Sequence, residues 1–375
     1  MSSLYIHIPF CLKKCHYCSF SSGVADLQQY SHYVSALKKE LESIAAVNNG
    51  TPINTLFLGG GTPTCLSVNF IKDIISHCLN LFGVTDNAEI SVEANPGTVD
   101  TAYFESLLAA GVNRISLGIQ SFDNDQLKAI GRIHSGGEAK EAFKSAQKAG
   151  FENINLDLMY GLPGQSEESW KSSLLSGLNL QPTHLSLYQL TVEENTRFFD
   201  LVTEGRVELP DVETILLMDE ITLRETISHN FQQYETSNFC LPGYSCRHNI
   251  NYWNNDEYMA AGASAVSFIA GCREKRLSYA ADYIAAIRNN TSVIAESETL
   301  EVEASFRESV IMGLRMVEGV SISSLWKKYK LKPDLYYGAV LARLIESGLV
   351  KLTDTHLLIT KRGWPLSNRI MAELV

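Results

Sequence analysis

The chain has 375 residues, enough for one large α/β domain plus a smaller one, because a single core stops growing near ~250–300 residues. With 45% hydrophobic and 19% charged residues, it suggests neither disorder nor a membrane span. A net charge of -11 argues against bulk electrostatic attraction to nucleic acid or anionic lipid and leaves only a local basic patch open.

The first stretch, MSSLYIHIPF, lacks a charged head and runs straight into a cysteine loop, so it does not read as a signal peptide and the protein is expected in the cytosol. LYIHI (4–8) predicts a strand. Behind it, IPFCLKKCHYCSF sets Cys11, Cys15 and Cys18 in the spacing C-x3-C-x2-C. Three thiolates hold three irons of a [4Fe-4S] cube and leave the fourth open. The amino nitrogen and carboxylate of S-adenosylmethionine fit that open position. A closed zinc knuckle is the alternative, since His16 lies inside the loop, but the nearest second pair, Cys240 and Cys246, has five residues between its members. Cys65, Cys78, Cys240, Cys246 and Cys272 show no ligand spacing, and in a reducing compartment they read as free thiols.

YVSALKKELESI (33–44) carries helical periodicity. The strand-like runs TLFLG (55–59), EISVEA (89–94) and RISLGIQ (114–120) follow, then a helix over EAKEAFKSAQKAG (138–150) stopped by Gly150, then INLDLMYG (154–161) and HLSLYQL (184–190). This alternation predicts βαβ units and a parallel sheet, and six strands predict an incomplete (β/α)6 TIM-like barrel of the α/β class. Such a barrel builds its site at the carboxyl ends of the strands. Those ends carry Gly59, Gly60, Gly61 and Thr62, then Glu93, Gln120, Asp157 and Gln189. Each alone suits a helix cap or a buried hydrogen-bond partner; five strand ends together outline a ligand-lined rim, and the cysteine loop follows the first strand onto it. In LGGGTPT (58–64) the glycines let the backbone approach a ligand closely. Glu93, before the ANPGT turn, suits a ribose or an amino group. Arg132, in AIGRIH, suits a carboxylate or is an ordinary surface cation, and Asp157, inside an apolar strand, needs a partner.

Further on stands His248-Asn249-Ile250-Asn251-Tyr252-Trp253. A neutral imidazole is a common axial ligand of haem iron, and Tyr252 and Trp253 offer flat apolar surface; a turn with a packed Trp is the plain alternative. From about 300 onward three amphipathic helices are expected, near FRESVIMGLRMV, SISSLWKKYK and YYGAVLARLIESG, then a hairpin in VKLTDTHLLIT turning at Thr353–Thr355. This is a small helical, winged-helix-like unit, made basic in part by Lys327, Lys328, Lys330 and Lys332, which keeps duplex DNA as a rival partner. The expected divisions are 1–235 for the barrel, 236–299 for a connecting region and 300–375 for the tail.

The cysteine loop with Tyr17 before its last cysteine, GGGTPT, VEANP, LGIQSF, IGRIH and DLMYGLPGQ together resemble the radical S-adenosylmethionine superfamily, over roughly residues 3–270. Within it they are most similar to the branch of oxygen-independent coproporphyrinogen III oxidase. The resemblance implies that Cys11, Cys15 and Cys18 bind the cluster and that Tyr5, Tyr17, Gly60, Gly61, Thr62 and Glu93 surround S-adenosylmethionine. It also matches Gln120, Arg132 and Asp157 to contacts with a second S-adenosylmethionine. Two departures bear on function: Phe20 stands where the oxidases carry a fourth cysteine, and Met1 lies just before the first strand where they are longer. Both point to the haem-chaperone branch, whose H-N-x-x-Y-W motif is matched here. That branch implies haem bound through His248, Tyr252 and Trp253, delivery to haem-accepting proteins such as respiratory enzymes, and no nucleic acid. The rival activity is oxidative decarboxylation of coproporphyrinogen III to protoporphyrinogen IX. Reductive cleavage of S-adenosylmethionine is the chemistry the cluster allows; its use in delivery, a homodimer and transient membrane association stay open.

Overall fold

The computed structural model describes residues 2–48 and 50–375. The chain runs β1 (Ser2–Ile8), α1 (Leu27–Val47), β2 (Ile53–Gly60), α2 (Val68–Phe82), β3 (Val84–Ala94), α3 (Thr101–Ala109), β4 (Arg114–Gln120), α4 (Asn124–Ala129), α5 (Gly136–Ala149), β5 (Asn153–Tyr160), α6 (Glu167–Leu178), β6 (His184–Gln189), α7 (Arg197–Thr203), α8 (Val212–Ser228), β7 (Gln232–Gln233), β8 (Asn238–Cys240), α9 (Arg247–Trp253) and β9 (Met259–Ala261). The helices start where local chemistry starts them. Asp26 and Gln29 close a capping box on α1, Ser135 and Glu138 close one on α5, and Gly150 ends α5 at φ +104.

All six expected strands form, and β1 to β6 pair in sequence order, each parallel to the next. Three short strands extend the sheet to nine, in the order β7-β8-β6-β5-β4-β3-β2-β1-β9, so the sheet curves without closing into a barrel. β9 runs parallel to β1 at one end and β8 antiparallel to β6 at the other. Strands of two or three residues are too short to show a period of two in the sequence.

That period decides what lies on each face of the long strands. Ile115, Leu117 and Ile119 of β4 and Ile154, Leu156 and Leu158 of β5 are buried under the helices. The alternate residues, Arg114, Ser116, Gly118 and Gln120 of β4 and Asn155, Asp157 and Met159 of β5, face the concave side. A full barrel fills its interior with branched aliphatic side chains. Here small and polar residues occupy it and leave a cavity.

A buried ion pair ties α1 to the β9 end of the sheet. Glu40 accepts from Arg276 Nε at 3.0 Å, from the backbone N–H of Gly262 at 2.8 Å and from the Tyr283 hydroxyl at 2.6 Å. Tyr33 donates to the His7 carbonyl at 2.7 Å and accepts from Ala263 N–H at 2.9 Å. Glu40→Ala leaves Arg276 buried and unpaired, so a loss of about 3–5 kcal/mol is expected in a urea unfolding curve. A loss below about 1 kcal/mol would mean that this network does not hold β9 in place.

The tail has a core of its own, with Phe306, Val310, Leu325, Leu341, Leu344 and Ile359 at its centre. Its helices are Val302–Gly313, Ile322–Tyr329, Pro333–Tyr337, Ala339–Glu346 and Ser367–Ala372, set against a small antiparallel sheet of Val320–Ser321, Val350–Leu352 and His356–Ile359. The hairpin turns where expected, with Thr353 N–H donating to the His356 carbonyl at 2.8 Å. The helix expected over YYGAVLARLIESG is instead two, broken at Gly338, whose φ of +48 no helix accommodates. Lys328 docks the tail by donating to the Asn254 and Asn255 carbonyls, both at 3.0 Å, and to Asp256 at 2.8 Å. Among the described residues no helix is long and apolar enough to cross a membrane.

Candidate functional site

The concave face encloses a cavity of about 580 Å3, lined by residues from β1 to β6, the cysteine loop and α9. Cys11, Cys15, Cys18, Tyr5, Tyr17, Gly60, Gly61, Thr62, Glu93, Gln120, Arg132, Asp157, His248 and Tyr252 all line it. Trp253 does not. Its ring lies under the Arg315 guanidinium, 5.6 Å away, at the junction with the tail.

The cysteine loop sits at the carboxyl ends of the strands and is held by its backbone. Cys11 N–H donates to the Gly23 carbonyl at 2.9 Å, His16 N–H to Ile130 at 3.0 Å and Phe198 N–H to His16 at 2.9 Å. The thiols stay free of this scaffolding and half-exposed. They are near enough to one another that Cys15 and Cys11 add to the burial that pushes the Cys18 thiol up. His16, the candidate fourth ligand of a zinc knuckle, donates Nδ1 to the Ala129 carbonyl at 3.1 Å instead and packs on Gly131. No three His, Cys, Asp or Glu side chains among the described residues group closely enough to hold a single ion.

The triple glycine lies against this loop. Gly61 N–H donates to the Ile8 carbonyl at 2.9 Å, and Thr62 N–H to Phe10 at 2.7 Å. A Cβ on Gly61 would stand 2.5 Å from the Phe10 oxygen and 2.9 Å from Cys11 Sγ, so only glycine fits. Gly60 adopts φ +116, and a Cβ there would meet the His7 ring at 2.8 Å. The glycine backbone therefore packs directly against the cysteine loop.

Arg132 and Gln120 complete the rim. Arg132 donates Nη1 to Cys15 Sγ at 3.5 Å and Nη2 to the Gly118 carbonyl, so it is no free surface cation. Its Nε and the Oε1 of Gln120 are buried without a partner among the described residues. Gln120 itself adopts φ +70, an uncommon conformation for a side chain larger than glycine. Unfilled donors and acceptors on a cavity wall are what a bound polar ligand satisfies. The rim thus fits a group that brings both polarities, as an amino acid joined to a nucleoside does.

Glu93 and Asp157 both line the interior, on strands separated by β4. Asp157 accepts from Asn155 at 2.7 Å and from Ser116 at 3.2 Å, while Glu93 accepts from Gly60 N–H at 3.1 Å. Burial, with the charge of Asp157 adding to it, pushes Glu93 from the usual 4.5 up to about 8. A raised folded-state value means that the folded chain holds this proton more tightly than the unfolded one. The associated stability is therefore present below about 4.5 and is lost as pH rises to about 8. Ligand-free protein should melt at progressively lower temperature across that window, and Glu93→Gln should flatten the slope; an unchanged slope would assign it to other groups.

The amino ends of the strands form the floor, where α9 closes the cavity. Glu89 of β3 accepts from Arg247 N–H at 2.9 Å and His248 N–H at 3.2 Å, which seats the start of α9. His248 is 1% exposed, with Nδ1 sharing a proton with Thr55 Oγ1 at 2.7 Å and Nε2 with the Tyr252 hydroxyl at 2.9 Å. Its ring stacks on Phe57, with centroids 5.1 Å apart. Burial, helped by the Arg114 charge, lowers its pKa to about 3, so the imidazole is neutral, the form that ligates a metal.

Arg114, Asn155, Ser116, Ser186 and Glu89 escaped the sequence reading. Their signal was a polar residue at every second position of an apolar strand, as in Arg114-x-Ser116-x-Gly118-x-Gln120.

The family model "Radical SAM superfamily" matches residues 5–175, and "HemN C-terminal domain" matches residues 300–366. The chain is 37% identical over 373 residues to the heme chaperone HemW of Bacillus subtilis, covering 99% of this chain and 98% of that protein. It is 33% identical to the heme chaperone HemW of Lactococcus lactis over 100% of this chain and 97% of that one. The Escherichia coli heme chaperone HemW matches at 42% identity over 70% of this chain and 69% of its own. The solved structure of coproporphyrinogen III oxidase (HemN) from Escherichia coli, a radical SAM enzyme, superimposes with a TM-score of 0.87 at 24% identity, covering 100% of this chain and 89% of that chain, which establishes the shared fold.

Proposed function

This chain belongs to the HemW heme chaperone family within the radical SAM superfamily, and we propose that it holds a [4Fe-4S] cluster, S-adenosylmethionine and haem and hands the haem to haem proteins such as respiratory enzymes in the cytoplasm. The observation that carries this reading is the sharing of one cavity by the three cysteine thiols at its rim and His248 at its floor. Cys11, Cys15 and Cys18 would hold the cluster, and the unfilled polar atoms of Gln120 and Arg132 fit a zwitterionic nucleoside beside it. Such a cluster supplies one electron for cleavage of S-adenosylmethionine.

The protein's own residues do the rest. Gly60 and Gly61 bring backbone to within contact of the loop, Glu93 offers an oxygen to an ammonium or hydroxyl group, and Arg132 steadies Cys15 while meeting negative charge. Phe20, 64% exposed at the mouth, keeps water-facing apolar surface where the oxidases carry a fourth cysteine. That substitution disfavours the oxidase activity.

The test is delivery. Protein with its cluster reconstituted anaerobically is loaded with haem, mixed with an apo haem protein and separated from it. Haem recovered in the acceptor, with no protoporphyrinogen formed from coproporphyrinogen III while S-adenosylmethionine is cleaved, is the expected result. Protoporphyrinogen production would replace the chaperone reading by the oxidase.

A further inference from the structure

Arg114 opens β4 on the cavity floor and is 2% exposed. Its Nε has no hydrogen-bond partner among the described residues. The carboxylates whose charge reaches it are Glu89, Asp157 and Glu93, which together favour the charged guanidinium, but the oxygens of all three are engaged by other donors, Glu93 by the Gly60 N–H. Glu89 accepts from the backbone N–H groups of Arg247 and His248 and from the Cys246 thiol, the last at 3.4 Å. Asp157 accepts from Asn155 and Ser116. A buried guanidinium has five N–H donors to satisfy, and leaving a buried cation short of acceptors is unfavourable. A planar guanidinium that lines a cavity with its Nε–H unfilled offers a site for a carboxylate.

The position narrows the source of that carboxylate. Arg114 pairs in register with Ser91 near the amino ends of the strands, six residues before Gln120 in the same strand. At the rise of an extended chain this places its Cα roughly 20 Å from that of Gln120 on the rim. An S-adenosylmethionine that chelates the open iron keeps its carboxylate at the rim. Arg114 shares the floor with His248, whose imidazole its charge reaches.

We propose that Arg114 anchors a propionate of haem on the cavity floor beside His248. This rests on the haem-binding reading above and adds to it a recognition element for the porphyrin's acidic edge.

The test compares haem with haem dimethyl ester, whose propionates are blocked, by Soret titration of the reconstituted wild type, Arg114→Gln and Arg114→Lys, and follows S-adenosylmethionine by equilibrium dialysis. Arg114→Gln is expected to weaken haem by at least about tenfold, Arg114→Lys by less, and the ester should bind the wild type as weakly as haem binds Arg114→Gln. S-adenosylmethionine binding should not change. Loss of S-adenosylmethionine binding with haem unchanged would overturn the assignment in favour of the methionyl carboxylate. No change in either ligand would make Arg114 an internal counter-ion to Glu89 and Asp157. Should Arg114→Gln fail to fold, equal affinities of haem and its ester for the wild type overturn the assignment unaided. A wild type that binds no haem overturns the proposed function together with this anchor, whereas haem binding indifferent to both Arg114 and the ester overturns the anchor alone.

Discussion

Replacing Cys11, Cys15 and Cys18 together by alanine is expected to remove about four irons per chain and the broad visible absorption near about 400 nm, while the fold persists. Persistence follows from how the loop is held. The hydrogen bonds that fix its backbone, Cys11 N–H to Gly23, His16 N–H to Ile130 and Phe198 N–H to His16, are made by backbone atoms, which alanine keeps; only the weak contacts of Thr62 and Arg132 with the sulfurs of Cys11 and Cys15 are lost. The thiols are half-exposed, so their removal opens no core cavity. Far-UV dichroism and the denaturation midpoint should therefore match those of the cluster-free wild type. Iron that stays with the triple variant would move the cluster elsewhere. Each single replacement is also informative: Cys15→Ala removes the sulfur that Arg132 Nη1 meets at 3.5 Å, so it should disturb the rim more than Cys18→Ala does.

His248→Ala is expected to weaken haem by at least about tenfold in a Soret titration of reconstituted protein, and Tyr252→Phe should preserve or tighten it. The contrast comes from the hydrogen bonds. His248 has Thr55 on Nδ1 at 2.7 Å and Tyr252 on Nε2 at 2.9 Å, so an iron can take Nε2 only if the Tyr252 hydroxyl moves away. Tyr252→Phe removes that competitor and keeps the ring that meets His248 edge-on at 4.9 Å. His248→Ala also strands the Thr55 and Tyr252 hydroxyls and leaves a void beside Phe57, which should lower stability by about 2–4 kcal/mol. Titrations must therefore be run where both variants are folded. Equal losses in the two variants would point to packing of the floor rather than ligation, and an unchanged Soret spectrum in His248→Ala would exclude this imidazole from haem.

Much of the molecule was determined by short-range pattern. Cysteine spacing is local, so the loop and its three thiols were legible, and so were six strands whose aliphatic residues recur at every second position. Most of the rim was legible too, because polar residues at the ends of apolar strands stand out from their neighbours: Gly60, Thr62, Glu93, Gln120 and Asp157 all line the cavity, whereas Gln189, expected beside them, is exposed at the end of β6 and does not.

What only the tertiary structure decided is the floor. Thr55, Glu89 and Arg114 belong to three strands, and it is parallel register, Thr55 beside Glu89 and Ser91 beside Arg114, that gathers them at one end. No window of sequence contains that register. Nor does the H-N-x-x-Y-W string show by itself that α9 closes the cavity at the end away from the cysteines. Helix geometry then divides the motif: His248 and Tyr252 are four residues apart and share one face, while Trp253 is rotated about 100° further and meets Arg315 at the tail instead. Local pattern fixes which side chains an element presents to one side. Only the pairing of elements distant in the chain fixes what those side chains meet, and that pairing turned Arg114 from the first residue of a strand into a buried cation with an unfilled Nε–H.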